Sequence, residues 1–256
     1  MWEFVSKMQY YLLPIYILLG ILPSSVWLFY YLNKDLHPEP KKMILKIFFY
    51  GSIVTLPVFI VQIGSAWLLE RFHGIPFFIS YPIVPSLLKW FFIIALTEEL
   101  GKYIVVKFGV LNSYLVDEPL DIMLYMVVAA LGFGAVENIL YLFSSLYGLF
   151  SFDSIVITAI AVIFIRFVGA TFLHTLCSGL VGYFLAMASF HGKKKVLLTI
   201  CGLSLAAILH GLYNFSITAW PWPFNVITPT MVILALALFM LYDFDQIKKI
   251  KGICKL

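Results

Sequence analysis

The sequence predicts an all-α membrane protein, a polytopic bundle of about seven transmembrane helices that occupies residues 1–256 as a single domain. Of these residues 62% are hydrophobic and only 12% are charged, whereas an ordinary soluble domain carries about 25% charged residues. The apolar runs are long and lack the alternation of a strand, so helices rather than a barrel satisfy their backbone polar groups in lipid. Little sequence is left over for a soluble domain.

Seven apolar segments are long enough to cross the hydrocarbon core of a bilayer, which takes about 20 residues of helix. The first is long for a signal peptide, so we expect a retained helix. Asp117, Pro119 and Asp121 open the fourth, where acidic residues suit the helix dipole and proline suits the first turn. The fifth is too long for one straight crossing and must tilt, bend at Gly169 or extend past the bilayer. The predicted spans are 10–32, 44–69, 85–108, 119–147, 155–190, 196–219 and 226–242.

Basic residues between the spans predict the orientation. One side of the membrane has only Lys7, Arg71 and Lys89. The other side has Lys34, Lys41, Lys42, Lys107, Lys193, Lys194, Lys195, Lys248, Lys249, Lys251 and Lys255. By the positive-inside rule the N-terminus lies outside and the C-terminus in the cytoplasm. Because these cations sit in loops beside apolar spans, the net charge of +4 says nothing about nucleic acid. We expect membrane lipid as the surrounding partner and no nucleic acid.

Polar residues inside the spans are the candidates for function, since a charge at the bilayer centre costs about 2.5–3.5 kcal/mol and is rarely without a function. Glu98 precedes Lys102 by one helical turn, so we expect these two to pair and Glu99, about 100° away, to face something else. The fourth to sixth spans contribute Glu137, Asn138, Arg166, His174, Ser178, His210 and Asn214. Helical rise puts the acids and His210 at similar depths, roughly 10–20 Å below the outer boundary. We therefore expect one shared polar cavity.

Acids and histidines in a hydrated intramembrane pocket suit hydrolysis. A carboxylate can take a proton from water, and a histidine or asparagine can stabilise the oxyanion. The same groups suit zinc, but no His-Glu-x-x-His helix is present, so metal dependence stays open. His210 and Asn214 have an alternative role as hydrogen-bond links between helices. For Ser178 and Arg166 the structural role is favoured, with Arg166 paired to an acid.

The order of these residues resembles the PrsW family, intramembrane proteases related to the type II CAAX prenyl endopeptidases. The prenyl endopeptidases typically have arginine at the position of Lys102 and histidine at that of Glu137, which favours the PrsW branch. The matching motifs are Glu98-Glu99-x-x-Lys102, Phe133-x-x-x-Glu137-Asn138, His174, and His210 with Asn214, together with 35–40 and 117–121.

The resemblance implies glutamate-activated hydrolysis of peptide bonds in membrane-anchored proteins such as anti-sigma factors, and so a single-span membrane protein or peptide as substrate. By analogy Glu98 or Glu99 would activate water, and Lys102 would tune the acidic pair. Glu137 would hold a histidine or the water, and His174, His210 and Asn214 would position the water and stabilise the oxyanion. No cofactor is firmly implied; if zinc is bound, its ligands would come from Glu99, Glu137, His174 and His210.

Two other classes of function remain beside the protease. A non-catalytic membrane scaffold of the same superfamily would keep the fold and lose the chemistry. A transporter is disfavoured because the chain shows no internal repeat. The sequence indicates no oligomeric state.

Overall fold

The computed structural model describes residues 2–34, 37–72, 74–111, 113, 116–146, 152–190 and 194–247. Every regular element within these ranges is helical, which confirms the predicted all-α membrane bundle. Asp35, Lys193 and the lysines of the C-terminal tail, which the sequence interpretation used, lie outside the described residues. In order the elements are α1 (Trp2–Leu32), α2 (Lys41–Arg71), α3 (Pro76–Ser80), α4 (Ile83–Leu87), the π segment (Leu88–Leu96), α5 (Thr97–Gly109), α6 (Pro119–Leu146), α7 (Phe152–Val168), α8 (Ala170–Phe190), α9 (Lys195–Ala219) and α10 (Phe224–Ile247).

Six helical stretches in the described part of the chain are long and apolar enough to cross a membrane. They are Leu13–Leu32, Lys41–Arg71, Pro119–Leu146, Asp153–Ser189, Lys195–Ala219 and Phe224–Tyr242. The predicted third span, 85–108, is not among them. Its residues are helical but pass from α4 through the π segment into α5, which carries several charges. Seven crossings therefore stay a prediction.

Helix α6 forms the centre of the bundle. Of its most apolar stretch 94% is buried, compared with 22–39% for the other five candidate spans. Helices α1, α2 and α8 pack around it. A Cβ added to Gly132 would lie 1.9 Å from the carbonyl oxygen of Phe48 in α2, so only glycine allows this close approach, as small residues do between membrane helices. The interior position of α6 carries Glu137 into the middle of the protein.

The predicted fifth span breaks at Gly169, between α7 and α8. The indole N–H of Trp27 donates to the carbonyl of Phe167 at 3.0 Å, next to the break. A Cβ at position 169 would lie 2.5 Å from the hydroxyl oxygen of Tyr213. The helix is therefore interrupted at the residue where a bend was predicted, and the bend itself stays a prediction.

The loops before α2 and before α6 meet at one end of the molecule. Asp121 accepts the backbone N–H of Glu118 at 2.8 Å, which confirms that this acid starts α6. His37 Nδ1 lies 2.8 Å from a carboxylate oxygen of Glu118, and the hydroxyl of Tyr125 donates to Glu39. The predicted topology requires these loops to share one side of the membrane. Which side faces the cytoplasm stays a prediction.

Candidate active site

One cavity collects most of the predicted site residues. Its volume is about 420 Å³, and its walls come from α2, the π segment, α5, α6, α7, α8 and α9. A larger cavity of about 560 Å³ between α1, α8 and α10 contains none of the site acids or histidines. The predicted residues that line the smaller cavity are Glu98, Glu137, Arg166, His174, His210 and Asn214. Glu99, Lys102, Asn138 and Ser178 are buried without lining it.

Lys102 lies within ion-pair distance of Glu98, as expected, but its shorter and hydrogen-bonded pair is with Glu99. Its ammonium nitrogen lies 2.7 Å from Glu99 Oε1 and 4.0 Å from Glu98 Oε2. Glu99 also faces the His210 Nδ1 at 3.0 Å and accepts the Ser178 hydroxyl at 3.0 Å. A carboxylate fully removed from water must be neutralised and hydrogen-bonded. Glu99 has no exposed surface and takes the lysine, and the structural role favoured for Ser178 stays a prediction that its bond to Glu99 supports.

Glu98 is left facing the cavity with half of its carboxylate unsatisfied. Gln62 Nε2 donates to Oε1 at 3.1 Å, whereas Oε2 is buried and has no hydrogen-bond partner. A buried acceptor without a hydrogen bond costs about 1–3 kcal/mol, and more if it is charged. We therefore infer that this oxygen binds a ligand or a reactant. Gln62 was not predicted. The signal that could have found it is a lone amide within an apolar span.

Each of the two imidazoles has one nitrogen held by a carboxylate and the other directed towards Glu98. His174 Nε2 lies 2.8 Å from Glu137 Oε2, and His210 Nδ1 lies 3.0 Å from Glu99 Oε1. The remaining nitrogens, His174 Nδ1 and His210 Nε2, lie 3.9 Å and 3.8 Å from Glu98 Oε2. Because an ionised carboxylate only accepts, its partner nitrogen carries the proton. The lone pair of His210 Nε2 therefore faces the unsatisfied oxygen, whereas that of His174 Nδ1 has a nearer partner in the Lys102 ammonium.

Lys102 occupies the space beside these groups. Its ammonium donates to His174 Nδ1 at 2.8 Å and lies 4.9 Å from the ring centroid of Phe133. The hydrogen bond agrees with a proton on Nε2 of His174, which is donated to Glu137. Lys102 therefore links Glu99 to His174.

Arg166 pairs with an acid, as predicted. Its Nη2 lies 2.7 Å from Glu137 Oε2, and its Nε donates to Asn138 Oδ1. Asn138 in turn donates to the hydroxyl of Thr171 at 3.1 Å. The arginine therefore binds the same oxygen of Glu137, Oε2, that faces His174 Nε2. Arg166 and Asn138 therefore position the carboxylate that orients the imidazole.

Asn214 supplies a free polar group. It lies one helical turn after His210 on α9 and lines the cavity. Its side-chain amide makes no hydrogen bond to the described residues. It can therefore donate to a substrate carbonyl or to the oxyanion formed from it.

Three ligand atoms, one from each of Glu98, His174 and His210, lie within 4.8 Å of one another. One carboxylate and two imidazoles form a donor set that zinc accepts. Histidine ligands commonly donate their other N–H to a carboxylate, and Glu99 and Glu137 fill that role here. The predicted ligand set placed these two acids on the metal, whereas the geometry places them behind the histidines. The residues fit a metal ion, which would replace the bond from lysine to His174.

The π segment determines which side chains reach the cavity. A π turn closes with an i→i+5 bond and so holds nearly one residue more than an α turn. In an unbroken α-helix, nine steps of 100° would put Lys89 about 180° from Glu98. The wider turns reduce each step to roughly 80°, which brings the two residues to within roughly 40° of each other. Lys89, Trp90, Ile94 and Glu98 accordingly line the same wall.

Comparison with known proteins agrees with this site. The sequence model of the family described as PrsW family intramembrane metalloprotease matches residues 39–242. Protease PrsW of Oceanobacillus iheyensis is 32% identical over 216 residues, which cover 84% of this chain and 88% of the relative. The Geobacillus kaustophilus protein of the same name is 30% identical over 78% of each chain. That of Bacillus subtilis is 28% identical over 84% of this chain and 88% of its own length. No solved structure matches.

Proposed function

The chain belongs to the PrsW family of intramembrane proteases, and from that premise we propose that it is an endopeptidase in which Glu98 activates water to hydrolyse a peptide bond. The observation that carries the proposal is the unpartnered Oε2 of Glu98, which belongs to a side chain in the cavity wall. Glu99 cannot take this part without giving up its lysine and its bonds to α8 and α9.

In the proposed reaction one proton passes from water to Glu98 and then from Glu98 to the leaving nitrogen. Water bound beside Glu98 Oε2 gives it a proton, and the hydroxide adds to the carbonyl carbon. The amide of Asn214, which has no partner among the described residues, donates to the oxyanion of the tetrahedral intermediate. Glu98 then returns the proton to the leaving nitrogen as the C–N bond breaks. The two products are a carboxylic acid and an amine.

The remaining groups prepare this geometry. Glu99 holds His210 and Lys102, and Glu137 holds His174, so His210 keeps its Nε2 lone pair towards the water while His174 Nδ1 accepts from Lys102. When a metal ion such as zinc is bound, Glu98, His174 and His210 would hold it, and the ion would supply Lewis-acid polarisation of water and carbonyl. This zinc-dependent protease is the second candidate, and the family description as a metalloprotease favours it.

We propose a single-span membrane protein of the cell membrane, such as an anti-sigma factor, as the substrate. Glu137 lies 18 residues after Pro119, which is about 27 Å along α6. The cavity is therefore far from the end where the loops before α2 and α6 meet. With that end in the cytoplasm, cleavage takes place in the outer half of the bilayer.

Reconstituted protein tests the proposal. The wild type and the Glu98→Gln variant are placed in vesicles with a library of single-span proteins whose juxtamembrane segments are randomised, and the products are identified by mass spectrometry. Glu70→Gln is the matched control, because Glu70 is an exposed acid at the end of α2. We expect Glu98→Gln to lower the rate about 10²–10⁴-fold, the usual contribution of a general base, and the control to cleave normally. Undiminished cleavage by Glu98→Gln, or none by the wild type, would reject the proposal.

A further inference from the structure

We infer that the cavity contains a second binding position, the Lys89 subsite, where the Lys89 ammonium beside the ring of Trp90 binds a carboxylate of the peptide substrate. The inference rests on the proposed endopeptidase function and adds a substrate class to it. It starts from the position of Lys89, which lines the same cavity as Glu98 although an α-helix would put the two on opposite faces.

The charges of the cavity wall leave Lys89 without an acid. Arg166 is paired with Glu137 at 2.7 Å. Lys89 makes no ion pair within the described ranges, and its ammonium nitrogen lies 5.4 Å from the ring centroid of Trp90. The ring orders the lysine through a cation–π contact without neutralising it. A substrate carboxylate would supply the missing negative charge.

An exposed lysine near a membrane interface commonly reaches for lipid phosphate, so exposure alone would not indicate a subsite. The π segment supplies the independent observation. Its wider turns rotate Lys89 and Trp90 away from the direction that an α-helix would give them and onto the wall that ends at Glu98. A lysine that only contacted lipid phosphate at the membrane interface would not need to lie on the same cavity wall as Glu98.

The spacing predicts where the carboxylate lies in the substrate. Lys89 precedes Glu98 by nine residues, which is at most about 13 Å along the helix axis. An extended peptide advances about 3.3 Å per residue, so the same distance corresponds to about four residues. We therefore expect an aspartate or glutamate about four positions from the scissile bond, or the C-terminal carboxylate of a peptide that ends there.

A charge reversal tests the subsite. The single-span library is presented in phosphatidylcholine vesicles to the wild type, Lys89→Glu and Lys89→Arg, and a second set of substrates ends about four residues beyond the cleavage site. Lys46→Glu is the matched control, since Lys46 is also exposed and lies 5.6 Å from the ring centroid of Tyr50, but at the start of α2. Cleavage sites and rates are read by mass spectrometry.

We expect the wild type and Lys89→Arg to prefer substrates with an acid about four positions from the cleaved bond by about fivefold, the upper range for an exposed ion pair. Lys89→Glu should lose this preference and favour lysine at the same position, and Lys46→Glu should resemble the wild type. A preference confined to the shortened set would identify the terminal carboxylate as the ligand.

Two other outcomes separate the inference from the proposed function. If the wild type cleaves acidic and basic substrates equally, or if Lys89→Glu keeps the preference of the wild type, the subsite is wrong while the endopeptidase stands. If the wild type cleaves nothing, both are wrong.

Discussion

Replacing each acid of the Glu98–Glu99 pair by glutamine should have opposite effects on stability, although the two residues are adjacent. Glu99 accepts from Lys102 at 2.7 Å and from Ser178 at 3.0 Å, and it faces His210 at 3.0 Å. Glu99→Gln removes the charge that compensates a fully buried ammonium and turns one acceptor into a donor. Breaking a buried pair in this way costs about 3–5 kcal/mol, a large share of a typical stability of about 5–15 kcal/mol.

Glu98→Gln should keep or raise stability. The amide oxygen can still accept from Gln62, as Oε1 does at 3.1 Å. The substitution removes a buried carboxylate oxygen that has no partner, which corresponds to a gain of up to about 1–3 kcal/mol. A gain in stability together with a loss of activity is the usual trade-off when a functional residue is replaced.

Unfolding of the purified variants in detergent, followed by circular dichroism, measures the difference. We expect Glu99→Gln to be less stable than Glu98→Gln by at least about 3 kcal/mol. The double variant Glu99→Gln/Lys102→Met is the control, because removing both charges should recover part of the loss. Equal stability of the two single variants would refute the assignment of Glu99 as the buried anchor and Glu98 as the reactive acid.

Three further outcomes follow from the structure. Gln62→Leu should lower kcat by about 10²-fold with little change in KM, since it frees the carboxylate of Glu98 to move by about 1 Å; steady-state kinetics in vesicles checks this, and an unchanged kcat would show that Gln62 does not position the acid. Gly132→Ala should cost about 1–3 kcal/mol of stability because its Cβ would meet the Phe48 carbonyl, whereas Gly64→Ala, which has nothing within 4 Å, should be neutral or stabilising; thermal unfolding of both variants decides. For the zinc-dependent candidate, removal of metal by a chelator should abolish cleavage and added zinc should restore it, with bound zinc counted by mass spectrometry; full cleavage by metal-free protein would contradict a zinc site and leave Glu98 as the metal-free base.

Much of the bundle could be predicted because its causes are local. The fourth span was expected at 119–147, and α6 runs over Pro119–Leu146. A long apolar run bounded by acids and proline leaves little choice of position. The meeting of Glu98, Glu137, His174 and His210 in one cavity could also be predicted, because polar groups at similar depths in lipid have only each other as partners.

What could not be predicted depends on neighbours distant in sequence. Whether Lys102 takes Glu98 or Glu99 is decided by bonds from α8 and α9, which spacing along α5 does not contain. The π segment was also missed. Its sequence is almost wholly apolar, so no polar periodicity marks the extra residue in each turn. Gln62 could have been predicted by the rule that identified the acids, since a polar amide in an apolar span needs a hydrogen-bond partner.

The full enclosure of α6 has a consequence for biogenesis. In the nascent chain this helix is made before α7, α8 and α9, so Glu137 and Asn138 reach the bilayer before Arg166 and His174 can pair with them there. Insertion then depends on the apolar remainder of α6 offsetting about 2.5–3.5 kcal/mol for the unaccompanied acid. Until α7 and α8 pack against it, the future centre of the protein is enclosed only by α1, α2 and α5, and its remaining face meets lipid.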